Sequence, residues 1–254
     1  KRDTMHIPSA FAHSMSSAPD ADVLSSADSL RQKQDFFRQI DLWVQELAPG
    51  QARDTAAARI KEAYEKKSTE LSLKNLGLSS LPTEIGALTS LTAIDISGNQ
   101  LETLPESIGQ LKKLEELHAQ SNCLAALPNA LCDLSALQVL ILSSNGLKSL
   151  PNNIGQLSCL ELLDVDMNAL QTLPESISNL KKLSGLHVNH NFLSNLPGAI
   201  SQITSLVILN ARNNKIDDVP SDIGDMPNLE RLDLQNNQLF NISFSLHRIE
   251  EVYL

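Results

Sequence analysis

Seven asparagines, Asn99, Asn122, Asn145, Asn168, Asn191, Asn214 and Asn237, recur at one constant interval, each position number 23 above the last, with no insertion between them. A strict period of that length means one structural unit used again and again, and a unit so short cannot bury a core alone. Each asparagine sits in one frame, L-x-x-L-x-L-x-x-N-x-L. One unit reads Leu137, Leu140, Leu142, Asn145, Leu147; the last reads Leu229, Leu232, Leu234, Asn237, Leu239. Replacements inside the frame stay apolar, as at Ile94, Ile96, Ala119, Val165, Val188, Ala211 and Ile216. Leu-Pro follows at Leu104-Pro105, Leu127-Pro128, Leu150-Pro151, Leu173-Pro174 and Leu196-Pro197, and becomes Val219-Pro220 in the last unit. Of 44 leucines, 40 lie after residue 70, so the repeat occupies the chain from there onward.

The L-x-L core alternates as a short half-buried strand does, leucines inward and x positions to solvent. Asparagine both donates and accepts, so stacked amides can satisfy turning backbone from one coil to the next. Proline fixes φ and stops the strand. In the segment that returns the chain, Ile108, Leu111 and Leu114 are three apart, which suits a 3₁₀ turn or short helix. Stacking then gives an α/β solenoid with a concave parallel sheet. A degenerate unit precedes the first asparagine: Leu71, Leu73, Leu78 and Leu81-Pro82 fit, with Leu76 in the asparagine place. That makes about eight strands, a sheet roughly 35–40 Å long.

Three regions follow. Residues 1–25, rich in Ser, Ala, Asp and Pro, are expected to be flexible. Residues 26–68 are expected to form an α-helical N-terminal cap. One helix covers 26–48, with Phe36, Ile40, Trp43 and Leu47 on one face and Pro49-Gly50 as its stop; a second covers 52–67, with Ala56, Ile60, Ala63 and Tyr64 on one face. Residues 69–254 form the repeat. After Asn237 the frame runs on as Leu239, Ile242, Leu246, Ile249 and Val252, Ser243 replaces the proline, and Leu254 falls where the next strand is due. No polar capping unit follows, so either the final segment caps the repeat itself or the chain is a fragment of a longer protein, and the fragment is expected.

The net charge of −10 argues against a binder of nucleic-acid phosphates. No apolar run approaches the ~20 residues of a membrane span, and no secretory leader is visible. Cys123, Cys132 and Cys159 lack metal or disulfide spacing. The absence of a Gly-rich phosphate loop, H-E-x-x-H and G-x-S-x-G leaves no catalytic constellation and no cofactor to expect. Asn241-Ile242-Ser243 matches a glycosylation sequon and is read as a chance triplet.

Function is therefore sought at the solvent-facing x positions. Mid-solenoid, Val139, Ile141 and Leu162 fall on adjacent strands with Met167 nearby, an apolar cluster expected to be exposed. His118, Asp164, Asp166, His187, His190 and Arg212 ring it. Apolar anchors inside a polar rim are the composition of a protein-binding surface, so the expected partner is a protein. The histidines and aspartates show no fixed ligand spacing, so they are read as rim and not as a metal site.

Residues 71–239 resemble the leucine-rich repeats of the 23-residue L-P-x-x-I-G-x-L class. That class includes Ras-pathway scaffolds, plant Ras-group repeats and bacterial effectors, and the resemblance implies a right-handed superhelix that binds proteins. The run WVQELAPGQARDTAAARIKEAYEKKSTELSLKNLGLSSLP, Trp43 to Pro82, is similar to the helical cap of secreted bacterial effectors of the IpaH/SspH type. In those effectors the repeats select substrates for a C-terminal ubiquitin-ligase domain with a cysteine nucleophile, after delivery into the host cytoplasm. The resemblance implies the same for this chain, with any ligase activity in a longer protein, since its three cysteines all lie in the repeats. The family's repeats are typically shorter than the 23-residue units found here. A stand-alone cytoplasmic scaffold or signalling adaptor of the Ras-pathway-like type is the alternative.

Overall fold

The computed structural model describes residues 21–46 (side chains from 26), 52–240, 246 and 248–254. The chain divides into two compact units, Lys1–Phe37 and Arg38–Leu254. Helix α1 spans Ala21–Glu46, starting before the expected residue 26, and α2 spans Arg53–Lys66. Most of the segment expected to be flexible, as well as Leu47, Pro49-Gly50 and the sequon, lies outside the described residues. Phe36, Ile40 and Trp43 are buried, as are Ala56, Ala57, Ile60 and Ala63 of α2. Helix α2 stops where Lys67 turns left-handed (φ 49°) and its N–H reaches back to the carbonyls of Ala63 and Tyr64.

These helical residues are tied to the first coil. The Ala52 N–H donates to the Leu76 carbonyl at 3.1 Å, Arg59 Nη1 to the Ser72 carbonyl at 2.8 Å, and Trp43 Nε1 to Ser80 Oγ at 3.2 Å. Among the described residues no helix is long and apolar enough to cross a membrane.

One parallel sheet holds nine strands in chain order: β1 Glu70–Ser72, β2 Ala93–Asp95, β3 Glu116–His118, β4 Val139–Ile141, β5 Leu162–Asp164, β6 Gly185–His187, β7 Ile208–Asn210, β8 Arg231–Asp233 and β9 Glu251–Tyr253. From β1 to β8 each residue pairs with the one a full period later, as Leu140 does with Leu163. The expected eight strands are thus one short. Arg231 pairs with Glu251, only 20 positions on, so the chain regains the sheet early and β9 forms before Leu254. The middle residue of each strand from β1 to β8 is buried and its neighbours face outward, as the alternation predicts.

The return segments carry 3₁₀ turns such as Glu106–Gln110, Asn129–Asp133 and Glu175–Asn179. The preceding proline is extended, and its carbonyl accepts the turn's first bond, Ile108 N–H to Pro105 at 3.0 Å. The glycine of the I-G pair packs tightly in the coils that have it, although Cys132, Ser178 and Ser201 take its place in others. A Cβ on Gly109 would sit 2.4 Å from the Ala130 carbonyl oxygen of the next coil.

The asparagines form the ladder expected of them. Asn168 Oδ1 accepts from the Leu147 N–H at 3.0 Å, and its Nδ2 donates to the carbonyls of Leu142 (3.0 Å) and Val165 (3.1 Å). Leu76 has no amide to offer, and Asn99 Oδ1 accepts both its N–H and that of Leu78 at 3.0 Å, ending the ladder without an orphan. The residue before each ladder position is left-handed: Asn75, Gly98, Ser121, Ser144, Met167, His190, Asn213 and Asn236, with φ between 53° and 67°. Glycine and asparagine adopt this readily, whereas for other residues it costs roughly 1–2 kcal/mol.

Candidate functional site

The register sets the outward residues in columns. One runs Glu70, Ala93, Glu116, Val139, Leu162, Gly185, Ile208, Arg231; the next runs Ser72, Asp95, His118, Ile141, Asp164, His187, Asn210, Asp233. Val139, Ile141 and Leu162 are therefore neighbours on β4 and β5, as anticipated. They are half-buried, where the sequence alone predicts exposure. Strands ~4.8 Å apart let neighbouring side chains cover one another. Leu162 also leans over β6: a Cβ on Gly185 would lie 2.8 Å from Leu162 Cδ1. That glycine belongs to the site, and sequence reasoning passes over it although it stands one period after Leu162.

The polar residues of the expected rim turn out to be largely occupied. Asp164 Oδ1 accepts the Asp166 N–H at 2.9 Å, the turn-closing bond that Asp95 makes to Ser97 and Asp233 to Gln235. Asp166 accepts from the backbone N–H and Nδ2 of Asn189 at 2.6 and 2.9 Å, and Asn189 Oδ1 in turn accepts the Arg212 N–H at 2.9 Å. Burial holds the Asp166 carboxyl above its usual range, reinforced by Asp164 and opposed by the Asn189 bonds. His118 Nε2 lies 3.2 Å from Glu116 Oε2, and His187 Nδ1 lies 3.0 Å from Asn210 Nδ2.

Met167 and His190 are not on the strand face. Both sit in the left-handed turn position and are exposed, with His190 Nε2 3.1 Å from Asn213 Nδ2. Arg212, just past β7, is also exposed. Among the described residues no group of three or more His, Cys, Asp or Glu side chains is placed to hold a metal ion.

Charge is ordered along the concave face. A depression of about 390 Å³ over β1–β3 is lined by Glu70, Asp95, Glu115 and Glu116 with His118. The aliphatic cluster follows on β4 and β5, and Arg212 and Arg231 lie beyond it. The concave face offers an apolar centre with carboxylates on the β1–β3 side and, on the other, Arg212 together with Arg231, whose Nη1 lies 3.2 Å from Glu251 Oε2 and which shares β8 with Asp233.

A family model described as a leucine-rich repeat region matches residues 70–144 and 128–239. Over 67 residues the chain is 42% identical to the E3 ubiquitin-protein ligase ipaH9.8 of Shigella flexneri; the match covers 26% of this chain and only 12% of the ligase. A solved Shigella effector LRR domain is 30% identical with a TM-score of 0.68, covering 82% of this chain and 87% of that one. YopM from Yersinia enterocolitica WA-314 is 28% identical with a TM-score of 0.67, covering 87% of this chain and 50% of that one.

Proposed function

Because the chain belongs to the leucine-rich repeat family, as a protein-binding module related to the repeat domains of IpaH effectors, we propose that it selects a target protein for a secreted bacterial effector. The effector works in the host cytoplasm, and the repeat module presents its target to a ubiquitin-ligase domain carried elsewhere in the full protein. The similarity that spans most of both this chain and the Shigella effector LRR domain supports that context.

The target docks on the concave face, and the observation that carries this is the Val139, Ile141 and Leu162 cluster at its centre. Three aliphatic side chains on outward positions shed their remaining water only when a partner covers them. The carboxylates over β1–β3 select a partner that is basic toward that end, and they act mainly on rate and selectivity. Asp164 and Asp166 hold the turns that shape this surface.

A photo-crosslinking residue at position 141, in the full-length effector expressed in host cells, tests the reading. The expected adduct is one host protein, absent when the same probe replaces the convex-face Lys113. With that protein purified, Ile141→Asp weakens binding more than about tenfold while the thermal melt is unchanged. Crosslinking from position 113 alone, or wild-type affinity in Ile141→Asp, refutes the concave site. Ubiquitin transfer to the captured protein by the full-length effector, lost in Ile141→Asp, tests the ligase context.

A further inference from the structure

Between residues 70 and 239, Met167 and Phe192 are the only exposed large hydrophobic side chains among the described residues. Neither is on the concave sheet. Met167 directly precedes ladder Asn168, and Phe192 directly follows Asn191, so both lie on the turns beside the sheet. Phe192 lines a groove of about 540 Å³ there, with Ala169 as its other apolar residue. Gln171, Thr172 and Ser194 supply neutral polar lining. Lys148 and Lys215 are the charged lining residues, and no carboxylate lines the groove, although the chain carries a net charge of −10. Asp217 and Asp218 follow Lys215 in the same coil without lining the groove, and the Asp217 N–H donates to the Ser194 carbonyl at 3.2 Å. Lys215 Nζ sits 5.0 Å from the centre of the Phe192 ring, a cation–π contact that orders both.

We infer that this groove is a second docking site, separate from the concave surface, for an extended acidic segment of a protein partner. Phe192 takes an apolar side chain of that segment, and Lys148 and Lys215 take carboxylates on either side of it. Along the stack the spacing follows from the fold. Lys148 stands three residues after ladder Asn145 and Lys215 one residue after ladder Asn214, so the two lie three coils apart along the stack and two positions apart within the coil. Three coils at ~4.8 Å make roughly 14 Å, which an extended chain crosses in about four residues at ~3.3 Å each. The matching segment therefore has carboxylates about four positions apart with the apolar residue between them. With two lysines and no carboxylate in its lining, the groove favours a carboxylate-bearing segment over a neutral one.

The probe is a fluorescein-labelled peptide, Ser-Asp-Gly-Leu-Gly-Asp-Ser, with both Asp replaced by Asn in the control, read by fluorescence anisotropy on the whole chain. The acidic peptide is expected to bind at least about tenfold tighter than the control at low salt, with the advantage shrinking as salt rises. Phe192→Ala and the double variant Lys148→Glu/Lys215→Glu are each expected to weaken it by about tenfold or more. Ile141→Asp is expected to bind the peptide as the parent does, so that failure here and failure of the concave site are told apart. Equal binding of both peptides, parent-like binding by Phe192→Ala, or loss in Ile141→Asp each overturns the inference. So does a dimer in sedimentation that Phe192→Ala dissolves, which assigns the groove to a second copy of the chain.

Discussion

Replacing Asn168 by alanine tests how the ladder works, because its carbonyls are shared while its N–H groups are not. The Val165 carbonyl accepts from Asn168 Nδ2 at 3.1 Å and from Asn191 Nδ2 at 3.0 Å, and the Leu142 carbonyl accepts from Asn145 at 2.9 Å and Asn168 at 3.0 Å. The Leu147 N–H instead gives its bond to Asn168 Oδ1. Asn168→Ala therefore strips the donor Leu147 of its acceptor and leaves each carbonyl one of its two donors. Leaving one buried N–H unpaired costs about 1–3 kcal/mol, so a loss of about 2 kcal/mol is expected. Asn191→Ala does the same one coil on, at the Leu170 N–H. Together the two remove both amide donors to Val165, so the double variant is expected to exceed the sum of the singles by about 1 kcal/mol. The pair Asn122→Ala/Asn191→Ala shares no carbonyl and is expected to be additive within about 0.5 kcal/mol. Urea unfolding followed by circular dichroism, with the slope m compared across variants, supplies the free energies. Additivity in the adjacent pair, at unchanged m, would refute the sharing argument, because it would mean water replaces each lost amide independently.

Three further outcomes follow from the packing. Gly109→Ala pushes a methyl into the Ala130 carbonyl, and about 1–3 kcal/mol of destabilisation is expected in the same urea assay. Trp43→Ala removes a buried indole and its bond to Ser80, an expected loss of about 3–5 kcal/mol, whereas a change below about 1 kcal/mol would show that this helical turn contributes little to the first coil. Burial, helped by Asp133, pushes the Cys132 thiol up to about 11, so at pH 8 a thiol reagent should label exposed Cys123 rapidly and reach Cys132 only after denaturant is added, as peptide mass mapping would show.

The period alone is enough to place β1–β8, their register and the ladder, because parallel stacking turns a sequence interval into a spatial neighbour. Val139, Ile141 and Leu162 come together on paper for that reason. β9 escapes because the step from Arg231 to Glu251 falls short of the interval by three. The left-handed turn position is announced by Gly98, Asn75, Asn213 and Asn236 but not by Ser121, Ser144, Met167 or His190, so sequence alone groups Met167 with a strand face it does not occupy. The rim carboxylates look available because sequence shows charge and not the neighbouring N–H that consumes it, as at Asp164 and Asp166. Phe192 and its lysines are legible in principle, since Ala169, Phe192 and Lys215 share one column, but in sequence that column reads only as turn.

The unvarying interval from β1 to β8 makes the molecule's length a quantity that heredity can edit in whole steps. A deletion of residues 123–145 would carry Asn122 straight to Gly146, and Gly146 follows Asn145 in the frame just as Cys123 follows Asn122. Every leucine, ladder amide and return proline downstream would meet a new neighbour of the old kind. Unequal crossing-over between coils thus yields shorter or longer folded chains in a single event, whereas the loss of one residue from the frame moves the leucines of that coil out of line with its neighbours. Such lineages should vary in coil number far more readily than in coil length, bringing different surface residues to the centre of the sheet without redesigning the interior.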